Sequence, residues 1–443
     1  MDVNGKLAQA IAAVLSDDHG GGSLGIVVPD NLDQVEIAAG SGGMQHLCGT
    51  IRTMIADAWG EDRVFARRAQ TQFVVLMPDC PPARAGARMA ALLDRIPGCR
   101  VASGGDSFGV TARGAVIAAG LVLPRTAERA LQLLEAAAWI TRNGQDALVV
   151  LGPGDAARLT EVELGARLLA GLPMAMGENR VLLYAQQIVA LRDMAPARYE
   201  CEVLVQILDG RGLAHSPGAL IRKAENSHLI ELLDRWVIHA AIVGHADLLH
   251  RAPHVDLSLN LSGRTLGHPQ LWDYLAGVIT ASGLSPKRFQ FEITETSAIY
   301  DMAAAQANVR AARAAGCRVA LDDFGAGLSG LAYLKSFELD AIKIDGDLIP
   351  HVGDPTRIES EIVPAVIGLG TRLGLEVVTE HVAHRDALDV LRRLGVAKVQ
   401  GFLFGQPRPL RDVLEEQAAA AGPRQRREDM AGTEMAGHLH DGD

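Results

Sequence analysis

The stretch Arg318 to Gly330 reads Arg-Val-Ala-Leu-Asp-Asp-Phe-Gly-Ala-Gly-Leu-Ser-Gly, and its reading decides the fold. An apolar run, Val319-Ala320-Leu321, ends in two adjacent carboxylates, Asp322 and Asp323. Short apolar runs bounded by punctuating residues read as buried parallel strands. Two carboxylates at the mouth of such a strand are costly unless something positive sits between them, and a hard divalent cation with oxygen ligands is the usual answer. Gly325, Gly327 and Gly330 also spell G-x-G-x-x-G, with Asp345 downstream, the pattern of a dinucleotide-binding oxidoreductase. That reading fails on charge, because Asp322 and Asp323 would crowd a pyrophosphate with no metal to bridge them. An isolated Asp pair is most often a helix cap. What overturns that here is the company the pair keeps.

The chain has 443 residues, 48% hydrophobic and 21% charged, which suffices for two or three domains with their own cores. A formal charge of −11 argues against a nonspecific hold on a nucleic-acid polymer. The 5 cysteines (Cys48, Cys80, Cys99, Cys201, Cys317) have no C-x-x-C spacing and read as reduced thiols. No apolar run is long enough to span a membrane, and the first residues lack a secretory pattern. The expectation is a cytoplasmic protein.

Residues 1–155 read as an α+β domain. Its strands are expected at Ser23–Val28, within Arg63–Met77 on both sides of a turn at Ala69–Gln72, at Ala112–Val122 and at Ala147–Leu151. Its helices are expected at 1–20, Met44–Trp59, Pro82–Ile96 and Thr126–Thr141. Residues 156–177 read as a linking helix. From Asn179 the pattern becomes strand, helix, strand, helix, with strands at Val181–Ile188, Tyr199–Ile207, Val255–Leu261, Arg288–Thr294, Arg318–Leu321, Ala341–Ile344, Glu376–Thr379 and Lys398–Phe404. Eight alternating units over 178–412 predict an α/β fold, a TIM-like (β/α)8 barrel. Residues 413–443 read as a short helix and a polar, disordered tail.

In such a barrel the active groups sit at the carboxyl ends of the strands. Seven successive apolar runs each deliver a polar group: Glu202, Asn260, Glu295, the pair Asp322 and Asp323, Lys343, Glu380 and Gln400. Each alone has a bland reading, since Asn260 can cap a turn and Lys343 can snorkel to solvent. Together they make an oxygen-rich site for one or two divalent cations, the arrangement that activates water for phosphoryl displacement. Lys343 is suited to a phosphate oxygen or the attacking water, and Glu380 to the general base.

These residues resemble a known family. Residues from about 178 to 410 look like an EAL-type cyclic-di-GMP phosphodiesterase domain. Glu202-Val203-Leu204 stands at the naming motif. Asn260-Leu261-Ser262, Glu292-Ile293-Thr294-Glu295, Asp322-Asp323-Phe324-Gly325, Lys343-Ile344-Asp345, Glu380 and Val399-Gln400-Gly401 follow in the family's order. The resemblance implies hydrolysis of cyclic di-GMP to linear pGpG with Mg2+ or Mn2+. It implies Glu202, Asn260, Glu295, Asp322 and Asp323 as metal ligands and Lys343 and Glu380 as catalytic residues. Gln186, Leu204, Asp345 and Gln400 would contact substrate. It also implies a homodimer formed through this domain, with a regulatory protein partner as a further possibility.

The first domain resembles a degenerate GGDEF cyclase-like domain. Ala69-Gln70-Thr71-Gln72-Phe73 stands at the signature, with neither its glycines nor its acids, so no cyclase activity is expected there. In the barrel, Gln206 replaces an arginine that meets a ligand phosphate in this family, and Ala383 replaces a second glutamate. Ala326, Leu328 and Gly330 alter the loop that couples metal binding to dimerisation in the family. These departures favour, as the alternative, a noncatalytic cyclic-di-GMP receptor that signals to a protein partner.

Overall fold

The computed structural model describes residues 3–16, 21–68, 71–142, 146–191, 198–215, 228–294, 299–325 and 330–421. The chain divides into two compact units, Met1–Ala170 and Gly171–Asp443, with the division inside the helix Ala156–Gly177. No helix among the described residues is long and apolar enough to cross a membrane.

The first unit is built on a five-stranded sheet. Its strands are β1 (Ser23–Pro29), β2 (Val64–Arg67), β3 (Gln72–Met77), β6 (Ala112–Ala118) and β7 (Leu148–Leu151), in the order β2-β3-β1-β6-β7. Between β3 and β6 lies a two-stranded hairpin of β4 (Arg100–Ser103) and β5 (Asp106–Gly109), which the sequence reading did not anticipate. Side chains alternate across the sheet, and both faces are apolar. Val27, Phe73, Val75 and Val116 face one core, with the helices Leu32–Trp59 and Pro82–Leu93. Leu24, Ile26, Val74 and Ile117 face the other, with the helices Val3–Leu15 and Ala127–Arg142. The helix expected at Met44 starts earlier, at Leu32, with a kink at Gly40. Strands β2 and β3 pair antiparallel, and of the stretch Ala69–Phe73 read above, Ala69 and Gln70 lie outside the described residues.

The second unit is a closed barrel. Its eight strands are β8 (Val181–Ala190), β9 (Tyr199–Leu208), β11 (Val255–Leu261), β12 (Phe289–Thr294), β13 (Arg318–Phe324), β14 (Ala341–Ile344), β15 (Glu376–Thr379) and β16 (Lys398–Gln400). The short strands β10 (Ala214–His215) and β17 (Arg408–Pro409) lie beside β9 and β8. Neighbours from β9 to β16 run parallel. The departure from a regular (β/α)8 barrel is β8, antiparallel to both β9 and β16. The chain between β8 and β9 is too short for a crossover helix, and antiparallel pairing needs none. The helix closing the unit spans 410–421, so it begins before the boundary expected at 413, and the tail 422–443 lies outside the described residues.

Candidate active site

The register of the barrel decides which side chains meet. Side chains alternate along a strand, so cross-strand partners share a face. Gln186 pairs with Glu202, Glu202 with Ser258, Asn260 with Glu292, Thr294 with Asp322, Lys343 with Val378 and Gln400 with Ile188. Followed around the ring, this parity returns to its start on the inner face. The alternate positions, such as Val203, Leu259, Phe291, Leu321, Ile342 and Val399, are apolar and buried. The polar groups that interrupt these strands are therefore mostly the ones sent inward, two of them (Gln290 and Glu292) from β12 alone.

Lys343 is the centre of the cluster and is 0% exposed. Its Nζ lies 2.6 Å from Glu292 Oε2, 2.6 Å from Glu380 Oε1, 3.0 Å from Asp322 Oδ1 and 3.4 Å from Glu202 Oε2. Asn260 Nδ2 donates to Glu202 Oε1 at 2.8 Å, and Gln400 Nε2 donates to Glu202 Oε2 at 2.8 Å and to Gln186 Oε1 at 3.1 Å. Gln186 Nε2 in turn donates to the Gly405 carbonyl at 3.1 Å.

Asp322 and Asp323 reach the same centre by different routes. Asp322 points inward by strand parity. Strand parity alone would turn Asp323 to the outside, but its φ is 53° and the β13–β14 register shifts between Leu321 and Phe324. A left-handed residue at a bulge re-aims its side chain. Its N–H donates to Asp322 Oδ1 at 3.0 Å.

Two groups of three carboxylates bring ligand oxygens within 4.8 Å of one another: Glu202, Glu292 and Asp322, and Asp322, Asp323 and Glu380. Asp322 belongs to both, as a bridging ligand between two cations would. The donors are hard oxygens, which fit Mg2+ or Mn2+ and not a soft metal. Glu295 lies outside the described residues. Glu292, three residues earlier, fills the first group, and the sequence reading passed over it. The signal was available, since Glu292 interrupts an apolar strand as Glu202 does. Leu204 lines the cavity beside the cluster. Asp345 Oδ1 accepts from the Asp347 N–H at 3.0 Å, capping the turn that follows β14.

The electrostatics follow from burial. Burial alone would lower Lys343, but Asp322, Glu202, Glu292 and Glu380 together hold its ammonium well above the usual lysine range. Burial pushes Glu202 up, and Lys343 with the Asn260 and Gln400 hydrogen bonds more than reverses this, leaving it below the usual range. Burial raises Glu292 to about 7 against the pull of Lys343, with Glu202 and Asp322 adding like charge. Burial and the neighbouring Asp322 and Asp345 raise Asp323 to about 7. Burial, then Asp322, raise Glu380 well above the usual range despite Lys343. One ammonium cannot satisfy this many carboxylates, and the excess negative charge is what a divalent cation neutralises.

A cavity of about 400 Å³ adjoins the cluster. Its walls are mostly apolar, from Leu204, Val205, Ile230 and Leu233, and its polar edge carries Asn260, Asp322 and Asp323. Gln206 lines it, and among the described residues no Lys or Arg does. Asp234, on the helix Leu229–Ile242, also faces it and is anchored through Oδ2 by the N–H and hydroxyl of Ser262 and the Thr265 hydroxyl. Burial raises Asp234 to about 6 against these bonds.

Comparison with known proteins fits this geometry. Cyclic di-GMP phosphodiesterase PdeB of Shewanella oneidensis is 31% identical over 245 residues, 55% of this chain and 28% of that protein. Cyclic di-GMP phosphodiesterase NbdA of Pseudomonas aeruginosa is 33% identical over 249 residues, 55% of this chain and 31% of that protein. The chain thus matches less than a third of the length of these curated relatives. A solved structure of PaMucR phosphodiesterase in a c-di-GMP complex superposes with a TM-score of 0.51 at 28% identity, covering 56% of this chain and 99% of that one. The family model for the EAL domain matches residues 170–407, more than half of the chain. The chain belongs to the EAL domain family.

Proposed function

We propose that the protein is a metal-dependent phosphodiesterase that hydrolyses one phosphodiester bond of cyclic di-GMP to give linear pGpG. The observation that carries this reading is the pair of carboxylate groups sharing Asp322 around a buried Lys343, beside a cavity large enough for part of a nucleotide. The named activity of PdeB and NbdA and the ligand of the PaMucR structure support it.

Mg2+ or Mn2+ would be held by Glu202, Asn260, Glu292, Asp322 and Asp323, with Glu292 taking the role that the resemblance gave to Glu295. When bound, such cations acidify a water and neutralise phosphate charge. The chain's own residues do the rest. Lys343 holds Glu292, Glu380, Asp322 and Glu202 in register. Glu380, tied to Lys343 through Oε1, offers Oε2 to the proton leaving the water. Gln400 and Gln186 fix Glu202, and Leu204 gives a nucleotide an apolar face. Residues 1–155 act as a cyclase-like module without cyclase activity, regulating or dimerising the enzyme, and the whole forms a homodimer through the barrel.

The test is incubation of the full chain with cyclic di-GMP and Mg2+ or Mn2+, with products separated by chromatography. Linear pGpG that disappears on chelation supports the reading, and no product at high enzyme concentration overturns it. A second reading rests on Gln206 and the absence of a cation lining the cavity among the described residues: a receptor that binds cyclic di-GMP without turnover. Calorimetry with metal present separates the two, since a receptor gives a stable binding isotherm and no product.

A further inference from the structure

We infer that Gln290 is a positioning residue: its side-chain amide fixes the Glu292 carboxylate, and through it the geometry of the cation site and of Lys343. This rests on reading the acidic cluster as a cation site.

β12 sends Gln290 and Glu292 to the inner face of the barrel, paired with Ser258 and Asn260 of β11. Glu292 is 0% exposed. Its Oε2 meets Lys343 Nζ at 2.6 Å, and its Oε1 accepts from Gln290 Nε2 at 3.1 Å. The same Nε2 donates to Ser258 Oγ at 3.1 Å. A primary amide nitrogen carries two protons, and both are used here. Gln290 is therefore pinned between two strands and cannot swing without giving up both bonds.

The consequence concerns direction. An ionised carboxylate has about four lone-pair sites. Lys343 takes one on Oε2 and Gln290 one on Oε1, so two remain for a cation on a carboxylate held at both oxygens. A ligand held this way meets a cation without reorganising. Lys343 adds leverage, because an ammonium has three protons and its Nζ meets four carboxylates, the nearest being Glu292 and Glu380. If Glu292 turns, Lys343 redistributes its bonds and Glu380 moves with it. Partners that orient metal ligands in this manner are typically worth about 10–100-fold in metal affinity or activity.

A purely space-filling role for Gln290 predicts something different. Leucine fills nearly the same volume without an amide, so Gln290→Leu keeps the packing and deletes the donor. The experiment measures Mn2+ affinity of the full chain by electron paramagnetic resonance, alongside kcat and KM for cyclic di-GMP and the melting temperature. Gln290→Leu is expected to lose about 10–100-fold in Mn2+ affinity and to lower kcat, with KM held within about threefold. Ser258→Ala, which frees one end of the amide, is expected to shift Mn2+ affinity in the same direction by a few fold. In a Glu292→Gln background, adding Gln290→Leu is expected to change Mn2+ affinity no further, because the effect runs through Glu292.

Unchanged Mn2+ affinity in folded Gln290→Leu overturns the inference, and so does an undiminished loss in the Glu292→Gln background. If Gln290→Leu does not fold, Ser258→Ala carries the test, and wild-type Mn2+ affinity in that variant overturns it. Failure of the unmodified chain to bind Mn2+ removes the cation site and this inference with it. Mn2+ binding that responds to Gln290 without any hydrolysis of cyclic di-GMP supports the inference and removes only the phosphodiesterase reading.

Discussion

Lys343 on β14 and Glu380 at the end of β15 form an ion pair of 2.6 Å inside a closed barrel, with Lys343 fully buried. Two groups so enclosed act as a unit. In the proposed mechanism Glu380→Gln removes the proton acceptor, and Lys343→Met removes the cation that orients it. Each variant is expected to lose roughly 10²–10⁴-fold in kcat for cyclic di-GMP. The double variant is expected to be no slower than the slower single one, as for residues that work together. Initial rates of pGpG release check both statements, and full additivity would separate the two roles.

Gln206 offers a gain of function. It lines a cavity with no Lys or Arg among its described walls. A guanidinium there would give a phosphate a charge-assisted, bidentate contact that an amide cannot. Gln206→Arg is expected to tighten cyclic di-GMP binding by about tenfold, equivalent to about 1.4 kcal/mol. Calorimetry with Glu380→Gln as the background measures binding without turnover.

Gly401 is where backbone geometry meets the site. An added Cβ would lie 2.3 Å from Val382 N and O, which are backbone atoms and cannot step aside. The Val382 N–H donates to the Gln400 carbonyl at 3.0 Å, so this contact ties the segment after Glu380 to the segment carrying Gln400. Gly401→Ala is expected to cost about 2–4 kcal/mol and to lower kcat at least tenfold, since both Glu380 and Gln400 must shift. Thermal melting and initial rates are the measurements.

The carboxylates give the chelated protein a pH dependence of defined sign. Glu292 and Asp323 have folded-state values raised to about 7 by burial and like charge. Between the unfolded carboxylate range near pH 4 and about pH 7, the folded chain binds more protons than the unfolded one, so these groups make stability fall as pH rises. In chelator, the melting temperature is expected to drop across this window. Mg2+ or Mn2+ should restore it, and by more at neutral than at acidic pH, because the ligands must be ionised to bind metal. A melting temperature indifferent to metal at neutral pH would contradict this.

Much of the barrel was legible in sequence because its strands are largely apolar runs and the polar groups that interrupt them mostly point inward. The strand starts at Val181, Tyr199, Val255, Arg318, Ala341, Glu376 and Lys398 stand where the apolar runs put them. The last strand ends at Gln400 and not at Phe404, because Gly401 turns the chain against Val382. The β4–β5 hairpin was missed because its strands are four residues each and only Val101 and Phe108 give it apolar contact with the core. Glu292 was passed over because the motif also offered Glu295, which lies outside the described residues, and the pairing of Glu292 with Asn260 is a property of the closed ring.

The sequence by itself determined the chemistry: which residue types stand at the strand ends, their order, and the excess of oxygen donors over cations. It could do so because an apolar run and the cost of a charge buried in it are local properties of a strand. Only the tertiary structure decided that β8 runs antiparallel, that a left-handed turn brings Asp323 back to Asp322, and that Lys343 stands among four carboxylates. Those outcomes depend on closing the ring, since side chains up to 214 residues apart, as in Gln400 and Gln186, meet only when every strand is in register.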